Sequence, residues 1–276
     1  MCDDNIETDG DPTNDSVFFD LLSQNVDILN GQNPGNYLVR YFASQSDADL
    51  EINELPDVFE NTVNPQIIIA RVDNDTQVTN PSGSLVDSSV CYETAPVTLI
   101  VNPLPIVDTD DNYILCVDTN GTEVLGPLEI ETGLSDLDYT FIWKNATGTT
   151  VETASRFSPT QGGVYTLEVF DATQPTKCAA PIKIFTVVES SPPEVTAVVT
   201  TEAFAKTHVI VATATGLGVY EYSLDQGPWQ DTGVFSNVNP GEHVVNVRDL
   251  KGCGIGQAIV FVIDFPKYFT PNGDGY

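Results

Sequence analysis

Apolar and polar positions alternate in short runs along most of the chain. Tyr37-Leu38-Val39-Arg40-Tyr41-Phe42, Gln66-Ile67-Ile68-Ile69-Ala70-Arg71-Val72 and Val97-Thr98-Leu99-Ile100-Val101 lie in the first third. Tyr139-Thr140-Phe141-Ile142-Trp143, Val164-Tyr165-Thr166-Leu167-Glu168-Val169 and His243-Val244-Val245-Asn246-Val247 follow. These are β-branched and aromatic residues, which suit a pleated, half-buried surface. A period of two sends successive side chains to opposite faces, so each run predicts a strand with one face in water. Gly, Pro, Asn and Asp punctuate the runs, as turns require. Long amphipathic helices are missing. One helical turn is predicted at Ser46-Asp47-Ala48-Asp49-Leu50, with a Ser N-cap and acids in the first turn.

Two proline-rich stretches divide the pattern, Asn102-Pro103-Leu104-Pro105 and Ser190-Ser191-Pro192-Pro193. Proline fixes φ and cannot donate to a ladder, so both read as semi-rigid hinges between β modules. The expected fold is all-β: three tandem Ig-like β-sandwich modules in an elongated array. They span 1–105, 106–191 and 192–265, with a tail at 266–276. In the second module Trp143 follows Cys116 in a strand pattern and Tyr165 comes later. That order resembles the core of an immunoglobulin-like sandwich, where a buried Trp packs at the centre. Cys178 lies too far beyond Tyr165 for an antibody-type bridge.

Charge narrows the function classes. The 276 residues carry 10 Lys+Arg against 40 Asp+Glu, a net charge of −30. Nucleic acid and anionic membranes both attract positive protein surfaces, so neither is an expected partner. No apolar run approaches the ~18 residues of a membrane-crossing helix, and no direct membrane insertion is expected. The first module is the most acidic, with 18 acids and 2 bases. Its loop acids Asp9, Asp11 and Asp15, and the junction cluster Asp108, Asp110 and Asp111, are candidate calcium ligands. Hard cations take six to eight oxygens from such loops. The spacing is not that of an EF-hand, and solvated surface charge explains the same residues.

The cysteines are Cys2, Cys91, Cys116, Cys178 and Cys253. No CxxC occurs, which argues against a zinc ribbon or a thioredoxin-type site. Cys2 and Cys91 flank the first module, and Cys116 and Cys178 the second. Pairing within each module is expected, with Cys253 left over as a structural thiol. Buried free thiols are the alternative. Disulfides imply an oxidising compartment outside the cytoplasm. Catalysis is not expected. The two histidines, His208 and His243, both read as surface strand residues. No GxSxG, P-loop, GxGxxG or HExxH pattern is present. Trp229, in a turn, reads either as hairpin packing or as a platform for a sugar.

The chain opens abruptly at Met1-Cys2-Asp3-Asp4, without a signal peptide, and stops at Gly275-Tyr276 in mid-motif. It reads as a fragment of something longer. Phe269-Thr270-Pro271-Asn272-Gly273-Asp274-Gly275 resembles the opening of the type B, gliding motility-associated, C-terminal sorting domain. Tyr220-Glu221-Tyr222-Ser223-Leu224-Asp225, Val234-Phe235-Ser236-Asn237-Val238, Pro240-Gly241 and Val247-Arg248-Asp249-Leu250-Lys251-Gly252-Cys253 resemble the repeats of SprB-type gliding adhesins. Gln226 stands where that pattern usually has glycine. The first module looks like those such proteins carry upstream, in Phe19-Asp20-Leu21, Asn64-Pro65-Gln66 and Val101-Asn102-Pro103-Leu104-Pro105. The resemblance implies export through the periplasm by the type IX secretion system, with the tail read by the translocon and its shuttle proteins. It also implies a place at the bacterial cell surface, and a surface ligand or glycan as partner. Asp15-Ser16-Val17 looks like the short O-glycosylation acceptor of such bacteria, at Ser16. The expected role is a non-catalytic adhesin or stalk segment. The alternatives are an ancillary stalk of a secreted enzyme, or a carbohydrate-binding module.

Overall fold

A computed structural model describes residues 1–3, 13–74, 77–79, 85–87, 91–203 and 205–263, with backbone alone at 77–79 and 85–87. Two compact units emerge. One is Met1–Val107 with Ser135–Phe141 and Glu168–Ile182; the other is Asp108–Leu134, Ile142–Leu167 and Lys183–Tyr276.

In the first unit the strands are β1 (Phe18–Asp20), β2 (Tyr37–Phe42), β3 (Val58–Glu60), β4 (Gln66–Asn74), β5 (Gln77–Thr79), β6 (Leu85–Asp87) and β7 (Tyr92–Leu99). They form an antiparallel sheet β2-β4-β7 and two-stranded pairs β1-β3 and β5-β6. The register sets Tyr41 opposite Ala70 and Ile68 opposite Val97. This turns the apolar alternation of β4 onto a core of Leu21, Tyr41, Ile68, Ala70, Leu99 and Val101. Two short helices appear, α1 (Asn25–Leu29) and α2 (Gln45–Leu50). The expected turn at 46–50 therefore exists, but its cap is Ser44, whose hydroxyl accepts from the Asp47 N–H at 3.1 Å. The unexpected helix α1 is five residues long and buries only Leu29, so it carries no periodic signal. Arg71 is 4% exposed. Its guanidinium pairs with Asp73 at 2.8 Å and with Glu51, donates to the Ala48 carbonyl at 2.7 Å, and lies over the Tyr92 ring at 3.7 Å. A buried cation is tolerated only when paired and hydrogen-bonded in this way. Here it also satisfies a carbonyl in the last turn of α2.

From Asn112 to Ser190 the chain lays down β8 (Asn112–Cys116), β9 (Ile130–Glu131), β10 (Tyr139–Asn145), β11 (Thr150–Glu152), β12 (Arg156–Phe157), β13 (Gly163–Asp171) and β14 (Lys183–Ser190). One sheet runs β11-β10-β13-β14-β8, with β8 parallel to β14, and β9 pairs with β12. Trp143 is fully buried and its indole N–H donates to the Ala154 carbonyl at 2.8 Å. Phe157 and Phe185 lie 5.2 and 5.8 Å from it, ring to ring. The Tyr165 hydroxyl donates back to the Gln161 carbonyl at 2.8 Å. That contact is the tyrosine corner of immunoglobulin-type sandwiches. Two residues on, where those domains place a bridging cysteine, stands Leu167, 1% exposed. This sandwich therefore has an apolar pin, and its cysteines are free to serve elsewhere.

The last strands are β15 (Glu194–Val199), β16 (His208–Thr215), β17 (Tyr220–Leu224), β18 (Val234–Val238), β19 (Gly241–Asp249) and β20 (Ile255–Val262). They make two three-stranded sheets, β15-β16-β18 and β17-β19-β20. Ile210, Phe235, Val245, Val247, Val260 and Val262 fill the space between. The all-β, Ig-like expectation holds.

Candidate functional site: two cross-linked joints

The linker Ser190–Pro193, within the second unit, is held by buried polar contacts as well as by proline. Ser190 and Ser191 are fully buried. The Ser190 hydroxyl donates to Asp249 Oδ2 at 2.9 Å, and the Cys253 N–H donates to the same oxygen at 3.0 Å. Asp249 is itself 4% exposed. The Ser191 hydroxyl accepts from the Leu217 N–H at 2.8 Å and lies 3.1 Å from the Tyr220 hydroxyl. The Ser190 carbonyl accepts from the Val117 N–H at 2.9 Å. A Cβ at Gly256 would run into the Pro193 carbonyl oxygen, so only glycine lets β20 approach this close. A disulfide, Cys116–Cys253, with Cα atoms 5.3 Å apart, ties the middle sandwich to the last. Proline supplies the stiffness the sequence suggests, but buried serine hydroxyls and a carboxylate do the locking.

The linker Asn102–Pro105, within the first unit, is held differently. The Asn102 N–H donates to the Met1 carbonyl at 2.8 Å, and its carbonyl accepts from the Asp3 N–H at 2.7 Å. Its side-chain amide donates to Thr176 Oγ1 at 3.0 Å. Beside these contacts sits a second disulfide, Cys2–Cys178, again with Cα atoms 5.3 Å apart. Cys178 is 1% exposed. Both Cα separations lie within the ordinary disulfide range.

These pairings correct the expected Cys2–Cys91 and Cys116–Cys178. Cys2 forms a bridge with Asn102, beyond the end of β7, whereas Cys91 stands just before its start. Eight residues of strand put the two ends about 26 Å apart, and a disulfide tolerates a Cα separation of at most about 7 Å. Likewise Cys116 is in register with Ser190, at the end of β14, while Cys178 precedes that strand's start. Cys253, expected as the leftover thiol, is bonded, and the free, exposed cysteine is Cys91.

Asp9, Asp11 and the motif Phe269–Gly275 lie outside the described residues. The Asp15 N–H donates to Asp3 Oδ2 at 3.4 Å. Asp108, Asp110 and Asp111 are exposed, and Asp111 pairs with Lys183 at 2.7 Å. Among the described residues no three His, Cys, Asp or Glu side chains gather in a way that would hold a metal. The Ser16 hydroxyl donates to the Asn61 carbonyl at 2.9 Å. His208 is not a surface residue: it is 3% exposed, with Nδ1 3.2 Å from Thr201 Oγ1. Its strand pattern is real, but it points to the buried face. His243 bonds Asp225 and the Asn239 carbonyl. Burial works to lower its pKa, but the bonds to Asp225 and Asn239 prevail and raise it above the ordinary value. Trp229 is 36% exposed and carries the Arg248 guanidinium 4.4 Å from its ring. Sequence reasoning marked both linkers, Asn102 and Ser190 among their residues, but missed Asp249 as the carboxylate that Ser190 bonds. No local signal marks Asp249, which lies 59 residues along the chain from the serine it bonds.

Fold and cross-links together define a class: Ig-like sandwiches in series, bonded to one another by disulfides. Residues 1–105 match a family model described as the Flavobacterium inter-domain disulphide bond domain. The Cys2–Cys178 bond fits that description, since it leaves the matched stretch for the following sandwich. Disulfides of this kind belong to an oxidising compartment, and the chain reads as an extracellular or secreted protein. No helix among the described residues is long and apolar enough to cross a membrane. No curated protein matches the chain. Similar solved structures include the three N-terminal domains of the bacteriophage RB49 highly immunogenic outer capsid protein, at 10% identity and TM-score 0.42, covering 86% of this chain and 91% of that one. Sidekick-1 immunoglobulin domains 1–5 are similar at 12% identity and TM-score 0.37, covering 91% of this chain and 57% of that one. An intimin fragment, solved with the intimin-binding domain of its translocated receptor, is similar at 11% identity and TM-score 0.32, covering 58% and 64%.

Proposed function

We propose that this chain is a non-catalytic stalk segment of a bacterial surface adhesin, exported by the type IX secretion system. The observation that carries the reading is the pair of disulfides, each of which joins one sandwich to the next across a proline-rich linker. A cross-link inside a domain stabilises that domain alone; one across a linker also restrains the angle between neighbours. That property suits a segment that displays a binding element at a distance. The tail motif and the repeat-like stretches around Tyr220 and Val247 support the export route and the gliding-adhesin setting. Calcium at the acidic loops, and glycosylation at Ser16, belong to the same reading. The test is a blot of whole cells, before and after surface protease, with an antibody to this fragment. The expected result is a large band that the protease shaves and that disappears from the surface when the type IX translocon is deleted. A band that protease leaves intact, or one whose exposure survives that deletion, overturns the proposal.

A further inference from the structure

The last sandwich carries a groove of about 350 Å³ on the β17-β19-β20 sheet. Ser223, Gln226, Trp229, Asn246, Ile255 and Gln257 line it, with the backbone of Gly227. In a chain with 40 acids, none of the lining residues is ionisable. What they offer is three amides, an indole and one aliphatic side chain; the Ser223 hydroxyl is buried and donates to the Gly227 carbonyl at 2.8 Å. An amide both donates and accepts, as an array of sugar hydroxyls requires. An indole presents a flat apolar face at low entropic cost.

The groove is also preorganised. Asn246 and Gln257 face each other across β19 and β20, and the Gln257 amide donates to Asn246 Oδ1 at 2.7 Å. The pair keeps a donor and an acceptor for a ligand. Arg248 stacks on Trp229 at 4.4 Å and is itself held by Glu221 at 2.7 Å, which fixes the ring and neutralises the cation. At the rim, Asp225 and Gln226 form the centre of a hairpin turn with φ of 49° and 62°. Two successive positive φ values favour glycine or asparagine in the second place, and glutamine there is strained. Backbone strain of this kind gathers where a side chain is needed for function. Gln226 at this place brings a third amide to the groove that Asn246 and Gln257 line.

We propose that this groove binds a neutral oligosaccharide, with Trp229 as the stacking platform and Gln226, Asn246 and Gln257 as the hydroxyl-reading amides. The proposal deepens the adhesin reading by naming the ligand class of one site. Its test uses the full chain and a set of neutral hexasaccharides of glucose, mannose and N-acetylglucosamine. A hexauronate serves as the charged control. Binding is followed by indole emission, to which buried Trp143 gives a constant background. At least one neutral hexasaccharide is expected to bind with a dissociation constant of about 1 mM or tighter, and the hexauronate is expected not to bind. Gln257→Ala should weaken binding by about tenfold without altering melting, and Trp229→Ala, titrated by calorimetry because it removes the reporting indole, should abolish it. Gln226→Gly should raise the melting midpoint and weaken binding several-fold, a combination that a purely structural role does not produce. Silence toward every neutral sugar, binding that Gln257→Ala leaves intact, or preference for the hexauronate or for a protein ligand overturns the proposal. None of these outcomes touches the protease-exposure result, so the stalk reading fails or stands separately.

Discussion

The two joints solve one problem with different means. At Ser190–Pro193 the linker is interior: two serines are fully buried, and a carboxylate collects a hydroxyl and an N–H. At Asn102–Pro105 the described contacts are a short backbone bridge to residues 1–3, one amide–hydroxyl bond and the disulfide. The first kind of joint is a packed interface that a disulfide reinforces. At the second, Pro105 is buried too, but the side-chain contact is exposed, so more of the restraint falls on the disulfide. Cross-links thus do different work at the two places, although each joins consecutive sandwiches.

Removing each disulfide is the largest test of that contrast. The closed loops differ little, 176 residues for Cys2–Cys178 and 137 for Cys116–Cys253. Chain entropy therefore predicts a similar global loss, about 5 kcal/mol for either cysteine-to-serine pair. The local outcome should differ. In Cys2→Ser/Cys178→Ser, amide exchange should become fast at Asp3 and Asn102. In Cys116→Ser/Cys253→Ser, the amides of Val117 and Leu217, which bond Ser190 and Ser191, should stay slow. Equal exposure of both joints would erase the distinction.

A glycine test breaks the packed joint without touching sulfur. Gly256→Ala forces β20 away from Pro193 and should cost about 1–3 kcal/mol, read as a lowered melting midpoint. Ser190→Ala should cost about 1–3 kcal/mol in denaturant unfolding. Asp249 Oδ1 already has no partner among the described residues, so the loss leaves a buried carboxylate with a single donor. Asn102→Ala, at the tethered joint, should cost less, about 1 kcal/mol, because its amide bond is exposed.

The smallest effect lies away from both joints and serves as a control. The His243 pKa is raised: burial opposes the charged ring, and the bonds to Asp225 and the Asn239 carbonyl outweigh it. The Asp225 pKa is lowered: burial again opposes, and the Val244 N–H and His243 outweigh it. A raised histidine stabilises fully below its unfolded value near 6.5 and loses that stability as pH rises through the folded value. A lowered carboxylate stabilises above its unfolded value near 4 and loses that stability as pH falls through the folded value. Stability should therefore fall slightly as pH rises from about 6.5 through the raised folded value, and His243→Gln should flatten the slope. Salt should shrink the effect, since Asp225 is half-exposed.

Much of the fold was legible because strands announce themselves locally. The alternation in β2, β4, β10, β13 and β19, and the Trp143 and Tyr165 pattern, needed no tertiary information. Disulfide pairing is a tertiary property, and spacing misled. Cys91 is close to Cys2 in module order, yet a full strand separates it from the Asn102 end. The polar contacts of the second linker were hidden for a related reason. Serine and proline look like solvent-exposed punctuation until Asp249, fifty-nine residues beyond Ser190, turns out to bond it. His208 shows the same limit, since alternation reveals that a strand has two faces but not which one is inside.

The most direct measurement is disulfide mapping of the oxidised protein, alkylated before unfolding and digested without reduction. The expected products are two cross-linked peptides, Cys2 with Cys178 and Cys116 with Cys253, and alkylation at Cys91 alone. A peptide joining Cys2 to Cys91 or Cys116 to Cys178 would contradict the cross-linked joints and leave each sandwich closed upon itself.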